Sequence, residues 1–192
     1  MMFGLIFGFL LGCTPAGDTD KAAEETAVVE ESPITWDECS YRIGEHICNL
    51  SLPDSNMDYQ ELYDYYGRPI VIQLAAEWCA PCHVAGKFAE VTMEQWVAED
   101  LLWITVLLEN TDRGNPNAQD LVEWETEMGT TNSLLWAGTR DWIDPSGEHG
   151  FPLTSWPTFV LVTSDMVVYH GWSGWSEDYL DQKIAEMLFN GG

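Results

Sequence analysis

Ile70-Val71-Ile72-Gln73-Leu74-Ala75-Ala76-Glu77-Trp78-Cys79-Ala80-Pro81-Cys82 is the stretch on which the reading of this chain turns. Its first seven residues form an almost unbroken apolar run, with the length and β-branched content of a strand buried on both faces. Two cysteines follow, two residues apart, and Val84 to Val91 continue in a pattern that a helix accepts. Pro81 falls in the first turn of that helix, where a missing N–H does little harm. A Cys-x-x-Cys at a strand-to-helix junction places the first sulfur at a helix N-terminus, where free N–H groups and the dipole favour a thiolate. Cys79 is then the nucleophile that attacks a target sulfur, and Cys82, further along the helix, attacks Cys79 to release the product.

A second motif, Trp156-Pro157-Thr158-Phe159-Val160-Leu161, supports the first, and Leu52-Pro53-Asp54 through Tyr66-Gly67-Arg68-Pro69-Ile70-Val71 leads into it. With both motifs in this order, residues 40–190 resemble the thioredoxin superfamily, and within it the membrane-tethered thiol-disulfide oxidoreductases of the bacterial cell envelope. The resemblance implies an α/β, thioredoxin-like fold, a central mixed β-sheet flanked by helices, with a right-handed parallel crossover after the first central strand. It implies a cis peptide before Pro157, lying against the Cys79/Cys82 pair and leaving the backbone of Trp156 free to pair with an extended substrate. Trp78 and Trp156 are the expected walls of an apolar substrate groove, with the loop Gly171-Trp172-Ser173-Gly174-Trp175 as a further wall. The chain departs from the family at Gln73, where thioredoxins carry a buried acid. An amide takes no proton, so the resolving step needs water or another group such as Glu77.

The 192 residues suffice for one domain with a sizeable core and a tail. Asp and Glu number 32 against 7 Lys and Arg, a net charge of −25 that repels nucleic acid and anionic lipid. The expected partners are protein thiols or disulfides and an upstream redox protein, with the chain acting as a monomer and using no cofactor or metal.

Residues 1–12 (MMFGLIFGFLLG) are wholly apolar. They are too short for a membrane-spanning helix, which needs about twenty residues, but suit the apolar part of a secretory signal. Leu10-Leu11-Gly12-Cys13 resembles a bacterial lipobox, which makes 1–12 a lipoprotein signal peptide and Cys13 the lipidated residue. Residues 13–35, with six acids and no apolar period, read as a flexible acidic linker, and 36–192 as the thioredoxin-like domain. The expected location is the cell envelope, facing the periplasm on a lipid anchor. Thr14 rather than Asp after the cysteine points to the outer membrane. In that oxidising compartment the remaining pair, Cys39 and Cys48, is expected to form a structural disulfide.

Hydrophobic periodicity predicts an extended arm or hairpin over Tyr41–Leu52, helical spacing over Met57–Tyr65 and a strand at Ile70–Ala76. One long helix is predicted from Ala80 to Glu99, a second buried strand at Leu101–Glu109 and a helix at Asn117–Met128. Thr130–Ser155 reads as a short strand with irregular loops. Thr158–Thr163 and Met166–His170 read as a hairpin, and Ser176 as the cap of a last helix from Glu177 to Phe189.

Three rival functions share these residues. Cys79-Ala80-Pro81-Cys82-His83 matches a c-type haem attachment pattern, although under the preferred reading His83 is a surface residue of the helix. A copper or zinc carrier would use Cys79, Cys82 and one of His83, His149 or His170. A non-catalytic binding domain would keep only the fold. The reading that accounts for both motifs is an envelope thiol-disulfide oxidoreductase of protein-disulfide reductase type, with reduction as its direction by analogy.

Overall fold

The computed structural model describes residues 33–190. The expected signal segment, the lipidation site Cys13 and the linker up to residue 32 lie outside the described residues. Among those described, no helix is long and apolar enough to cross a membrane.

Five strands form the central sheet: β3 (Ile70–Ala76), β4 (Leu102–Glu109), β5 (Leu134–Ala137), β6 (Thr158–Val162) and β7 (Val168–Ser173), in the order β5-β4-β3-β6-β7. The pairs β3–β4 and β4–β5 are parallel, while β3–β6 and β6–β7 are antiparallel, so the sheet is mixed. A small outlying hairpin pairs β1 (Ser51–Pro53) with β2 (Tyr59–Glu61). Every residue of β3, β4 and β6 is buried, which is why their sequences read as nearly continuous apolar runs.

Alternation along the strands sorts side chains to two faces. Ile70, Ile72, Leu74, Ile104, Val106, Leu108, Val160 and Val162 pack with Tyr41, Ile47, Leu50, Leu62, Phe151 and Met166. Val71, Trp103, Phe159 and Leu161 pack instead with Ala85, Ala89, Leu180, Ile184 and Met187. These last come from α1 (Ala80–Gly86), α2 (Ala89–Gln95) and α4 (Glu177–Asn190). At the end of β3 a third cluster joins Ala75, Ala76 and Leu107 to Cys79, Cys82 and to Leu121, Trp124 and Met128 of α3 (Ala118–Met128).

The expected long helix over 80–99 is two helices and a 3-10 turn (Val97–Glu99). The break follows Gly86, where an added Cβ would lie 2.7 Å from the Met128 sulfur and 3.2 Å from Trp124. Glycine is kept there so that α3 can press on the end of α1, at a cost in helix propensity. The helical spacing over 57–65 also gives way, to β2 followed by a 3-10 turn (Leu62–Tyr65). Asp54 Oδ1 accepts from the N–H groups of Asn56 and Asp58, a local bond that competes with helix. Glu61, accepting from Asn49 and Ser51, fastens the hairpin. Ser176 does cap the last helix, its Oγ accepting from the Tyr179 N–H at 3.4 Å.

Glu90 ties α2 to the segment entering β5. Burial pushes its carboxyl up, but hydrogen bonds from Thr131, Ser133 and Asn132 outweigh that and hold it far below the usual carboxylate range. Cys39 and Cys48 are bonded, with Cα atoms 4.9 Å apart at a sequence separation of 9. Closing a loop of that length stabilises the fold by roughly 2.5 kcal/mol. Replacing both cysteines with serine should lower stability by about that amount in urea melts while leaving Cys79–Cys82 chemistry intact. A loss of exchange activity in that variant at full stability would show that the pair has a redox role.

Candidate active site

Cys79 is the N-cap of α1, its backbone extended at φ −92° and ψ 100°, and its Sγ accepts a hydrogen bond from the Cys82 N–H at 3.2 Å. Cys79 and Cys82 are joined as a disulfide with Cα atoms 5.3 Å apart. The tip of the motif is open, since Ala80 and Pro81 are exposed. The sulfurs are less open than the sequence suggests, with Cys79 only 3% and Cys82 0% exposed. Trp78 and Trp156 cover the cluster that holds both cysteines, their rings edge to face at 5.9 Å. The pairing of β3 with β6 brings this about, because Leu74 opposite Thr158 sets the segments after β3 and before β6 side by side.

The Trp156–Pro157 peptide is cis, and Pro157 is buried. The Pro157 carbonyl accepts from Gly174 N–H at 2.7 Å, and Thr158 Oγ1 meets Ser155 O at 2.7 Å and Ser173 Oγ at 2.6 Å. Gly174, at φ +94°, makes the turn that delivers this N–H, a conformation that favours glycine. Among the described residues no hydrogen bond engages the backbone N–H or C=O of Trp156. The expected groove wall at Gly171–Trp175 takes a different form. Gly171, Trp172 and Ser173 belong to β7, and Trp172 stacks on Phe159 at 5.0 Å. Trp175 lies between Phe88 and Phe159, so both indoles mainly cover the core.

Beneath the cysteines Gln73 is fully buried. Its Nε2 donates to Cys82 O at 3.0 Å, and its Oε1 accepts from Thr105 Oγ1 at 3.3 Å, which in turn accepts from Trp103 Nε1 at 3.1 Å. Thr105 stands opposite Gln73 in the β3–β4 register. The chain of donors and acceptors is closed and contains no titratable group. Glu77, the alternative proton acceptor, is engaged elsewhere: its Oε2 accepts from Thr111 N–H at 2.7 Å and Thr111 Oγ1 at 2.9 Å.

His83 is not the surface residue expected from the helix. Its ring packs on Trp124 at 4.8 Å and bridges Glu77 O through Nε2 (2.5 Å) and Glu127 Oε1 through Nδ1 (2.9 Å). That contact holds the Glu127 carboxyl below its ordinary range. With both nitrogens committed, His83 braces the turn before Cys79 against α3. His170 bonds Tyr179 on the opposite part of the fold, and His149 sits in the Asp144 turn, so the histidines of the carrier hypothesis do not converge on the cysteines. Among the described residues no group of three or more His, Cys, Asp or Glu is arranged to hold a metal ion.

Two residues near the site escape a reading by motif. Glu109, 1% exposed at the end of β4, accepts from Trp78 Nε1 at 2.6 Å, and its other oxygen faces Arg140 Nε at 2.7 Å as an ion pair without linear hydrogen-bond geometry. Arg113 lays its guanidinium over the Trp78 ring at 4.5 Å. An acid closing the apolar run Leu101–Glu109 was the available signal for Glu109; for Arg113 there was none.

No protein-family model matches the chain, and no curated protein is similar to it in sequence. Solved structures are similar in fold. The thioredoxin domain of a thiol-disulfide oxidoreductase from Bacteroides vulgatus superposes with TM-score 0.59 at 15% identity, over 77% of this chain and 98% of that one. A thiol:disulfide interchange protein of the thioredoxin family from Chlorobium tepidum gives 0.54 at 15%, over 80% and 99%. The exposed lipoprotein thioredoxin of Streptococcus pneumoniae gives 0.52 at 21%, over 72% and 99%. With its mixed five-stranded sheet, flanking helices and these likenesses, the chain has the thioredoxin-like fold.

Proposed function

We propose that this chain is a thiol-disulfide oxidoreductase of the bacterial cell envelope, exchanging disulfides through Cys79 and Cys82 in the direction of target reduction. The observation that carries the reading is a Cys79–Cys82 disulfide at a helix start, covered by Trp78 and by Trp156 of a cis Trp–Pro peptide. In the dithiol form, the Cys79 thiolate attacks one sulfur of a target disulfide, forming a mixed disulfide and expelling the other sulfur as a thiolate. Cys82 then gives up its proton and attacks Cys79. The enzyme disulfide forms, the target leaves as a dithiol, and two electrons have passed to it. The free N–H and C=O of Trp156 suit pairing with an extended target strand beside the reacting sulfurs.

The proposed domain begins near Trp36, whose ring stacks on His46 at 3.9 Å. The proposed anchor is a lipid on Cys13 after removal of residues 1–12, with the acidic segment to residue 35 as tether and the outer membrane as its site. Support comes from the sequence of that segment, and from the fact that one protein of similar fold is itself an exposed lipoprotein. Partners are protein disulfides and a donor that returns electrons to Cys79–Cys82.

Insulin reduction with dithiothreitol as donor tests the activity. The chain should precipitate the insulin B chain well above the rate of dithiothreitol alone. A rate equal to the reagent blank would refute the reading and favour a binding domain that keeps only the fold.

A further inference from the structure

We propose that Arg113 reads a carboxylate, so that the preferred targets are protein segments with an Asp or Glu close to the reacting cysteine. The inference rests on the oxidoreductase reading and adds a substrate class to it.

The sequence has seven Lys and Arg, of which Lys21 lies outside the described residues. Of the remaining six, five face a carboxylate: Arg42 with Glu148, Arg68 with Asp100, Lys87 with Glu127, Arg140 with Glu109 and Lys183 with Glu186. Arg113 is the exception among the described residues. In a chain with 32 acids, an arginine left without one is conspicuous, and this one lies on the residue next to Cys79. Its nearest sequence neighbour, Asp112, makes no ion pair with it.

The loop that carries Arg113 is built. Asn110 N–H donates to Gly114 O at 2.9 Å, Arg113 N–H donates to Asn110 O at 2.9 Å, and Asn110 Oδ1 accepts from Asp112 N–H and Gly114 N–H at 3.1 and 2.8 Å. Thr111 is fastened to Glu77. Arg113 itself takes φ +65°, a left-handed conformation that would suit glycine or asparagine better. The fastening of Thr111 to Glu77 and of Trp78 to Glu109 fixes the indole on which the guanidinium rests. That contact sets the guanidinium over the indole, and among the described residues no hydrogen bond engages its five N–H donors, which are free for a bidentate carboxylate. Arg140 does not compete for the same ligand, because the buried Glu109 already neutralises it. A target carboxylate over Trp78 would supply the counter-charge that every other described Lys and Arg already has.

The test uses the full reduced chain and synthetic peptides closed by one disulfide, with Glu, Gln or Lys at each of the two positions flanking a cysteine. The readout is the ratio of kcat/KM for the Glu peptide to that for the Lys peptide. A net charge of −25 acting at a distance favours the Lys peptide, so a local Glu preference is separable from the global field. The expected result is that Arg113→Gln lowers the Glu/Lys ratio about fivefold, the scale of one exposed ion pair. Arg113→Glu should lower it further, Arg113→Lys should restore part of it, and Arg42→Gln should leave it at the wild-type value. The inference is overturned if the ratio is the same in wild type and Arg113→Gln while the Gln peptide is turned over. If no peptide is reduced by wild type, the oxidoreductase reading fails as well.

Discussion

Under the proposed function, a Cys79→Ser variant should lose disulfide exchange, on the order of 10³-fold or more, whereas Cys82→Ser should keep the first chemical step and accumulate a mixed disulfide with its target. The asymmetry follows from where the two sulfurs sit. Cys79 is the N-cap and is the sulfur toward which the Cys82 N–H points, so a negative charge on it meets a donor in place. Cys82 is wholly buried behind it, its carbonyl held by Gln73. A target therefore meets Cys79 first and reaches Cys82 only through Cys79. Serine is nearly isosteric in both places, so each variant tests the chemistry rather than the packing. The measurement is insulin reduction together with mass spectrometry of alkylated adducts. A Cys79→Ser protein as active as wild type would end the proposed mechanism. An adduct trapped by Cys79→Ser but not by Cys82→Ser would reverse the roles of the two residues.

The strands were legible because burial on both faces leaves a signature within each strand, an apolar run broken at most by an isolated polar residue, as by Gln73 in Ile70–Ala76 and Thr105 in Leu102–Glu109. The break in the helix over 80–99 is not legible locally, because it depends on a contact with α3 some forty residues away. Gly86 is tolerated inside many helical patterns, and only the approach of Met128 and Trp124 shows why the chain turns there. The hairpin of β1 and β2 was missed for a local reason: the Asp54 carboxylate takes N–H groups that a helix would need.

The candidate site divides along the same line. Cys79, Cys82 and Pro157 are legible because their chemistry is written in two short motifs. Glu109, Thr105 and Arg113 are brought to the site by β4 and the loop after it, which lie beside β3 through a parallel register that no short window contains. His83 fell between the two cases. It sits inside the motif, yet its contacts with Glu127 and Trp124 depend on how α3 docks. Even Gln73, noticed as a departure in sequence, acquires its meaning only from Thr105 and Trp103 across the sheet.

Gln73→Glu should be the most destabilising conservative change at the site, and its cost should depend on pH. With the acid protonated, its O–H can donate to Cys82 O as the amide does, and its other oxygen can accept from Thr105. Once ionised, the carboxylate has an oxygen facing the Cys82 carbonyl with no hydrogen between them, at a position with no solvent exposure. Burial therefore raises the folded-state pKa above the value of about 4.3 in the unfolded chain, toward about 8 as for other buried glutamates. The sign follows by linkage. Between those two values the folded state holds a proton that the unfolded state has released, so stability is highest below about pH 4 and declines until the folded group ionises. At about 1.4 kcal/mol per unit of pKa difference, the loss reaches about 5 kcal/mol, against a total of 5–15 kcal/mol for a typical domain. Gln73→Leu provides the comparison: it removes the side-chain donor to Cys82 O and the acceptor of the Thr105 O–H for about 2 kcal/mol with no such slope. Urea melts of both variants at about pH 4, 6 and 8, each referred to wild type, separate the two outcomes. Parallel curves for Glu and Leu across that range would mean that position 73 is wet enough to hold a charge.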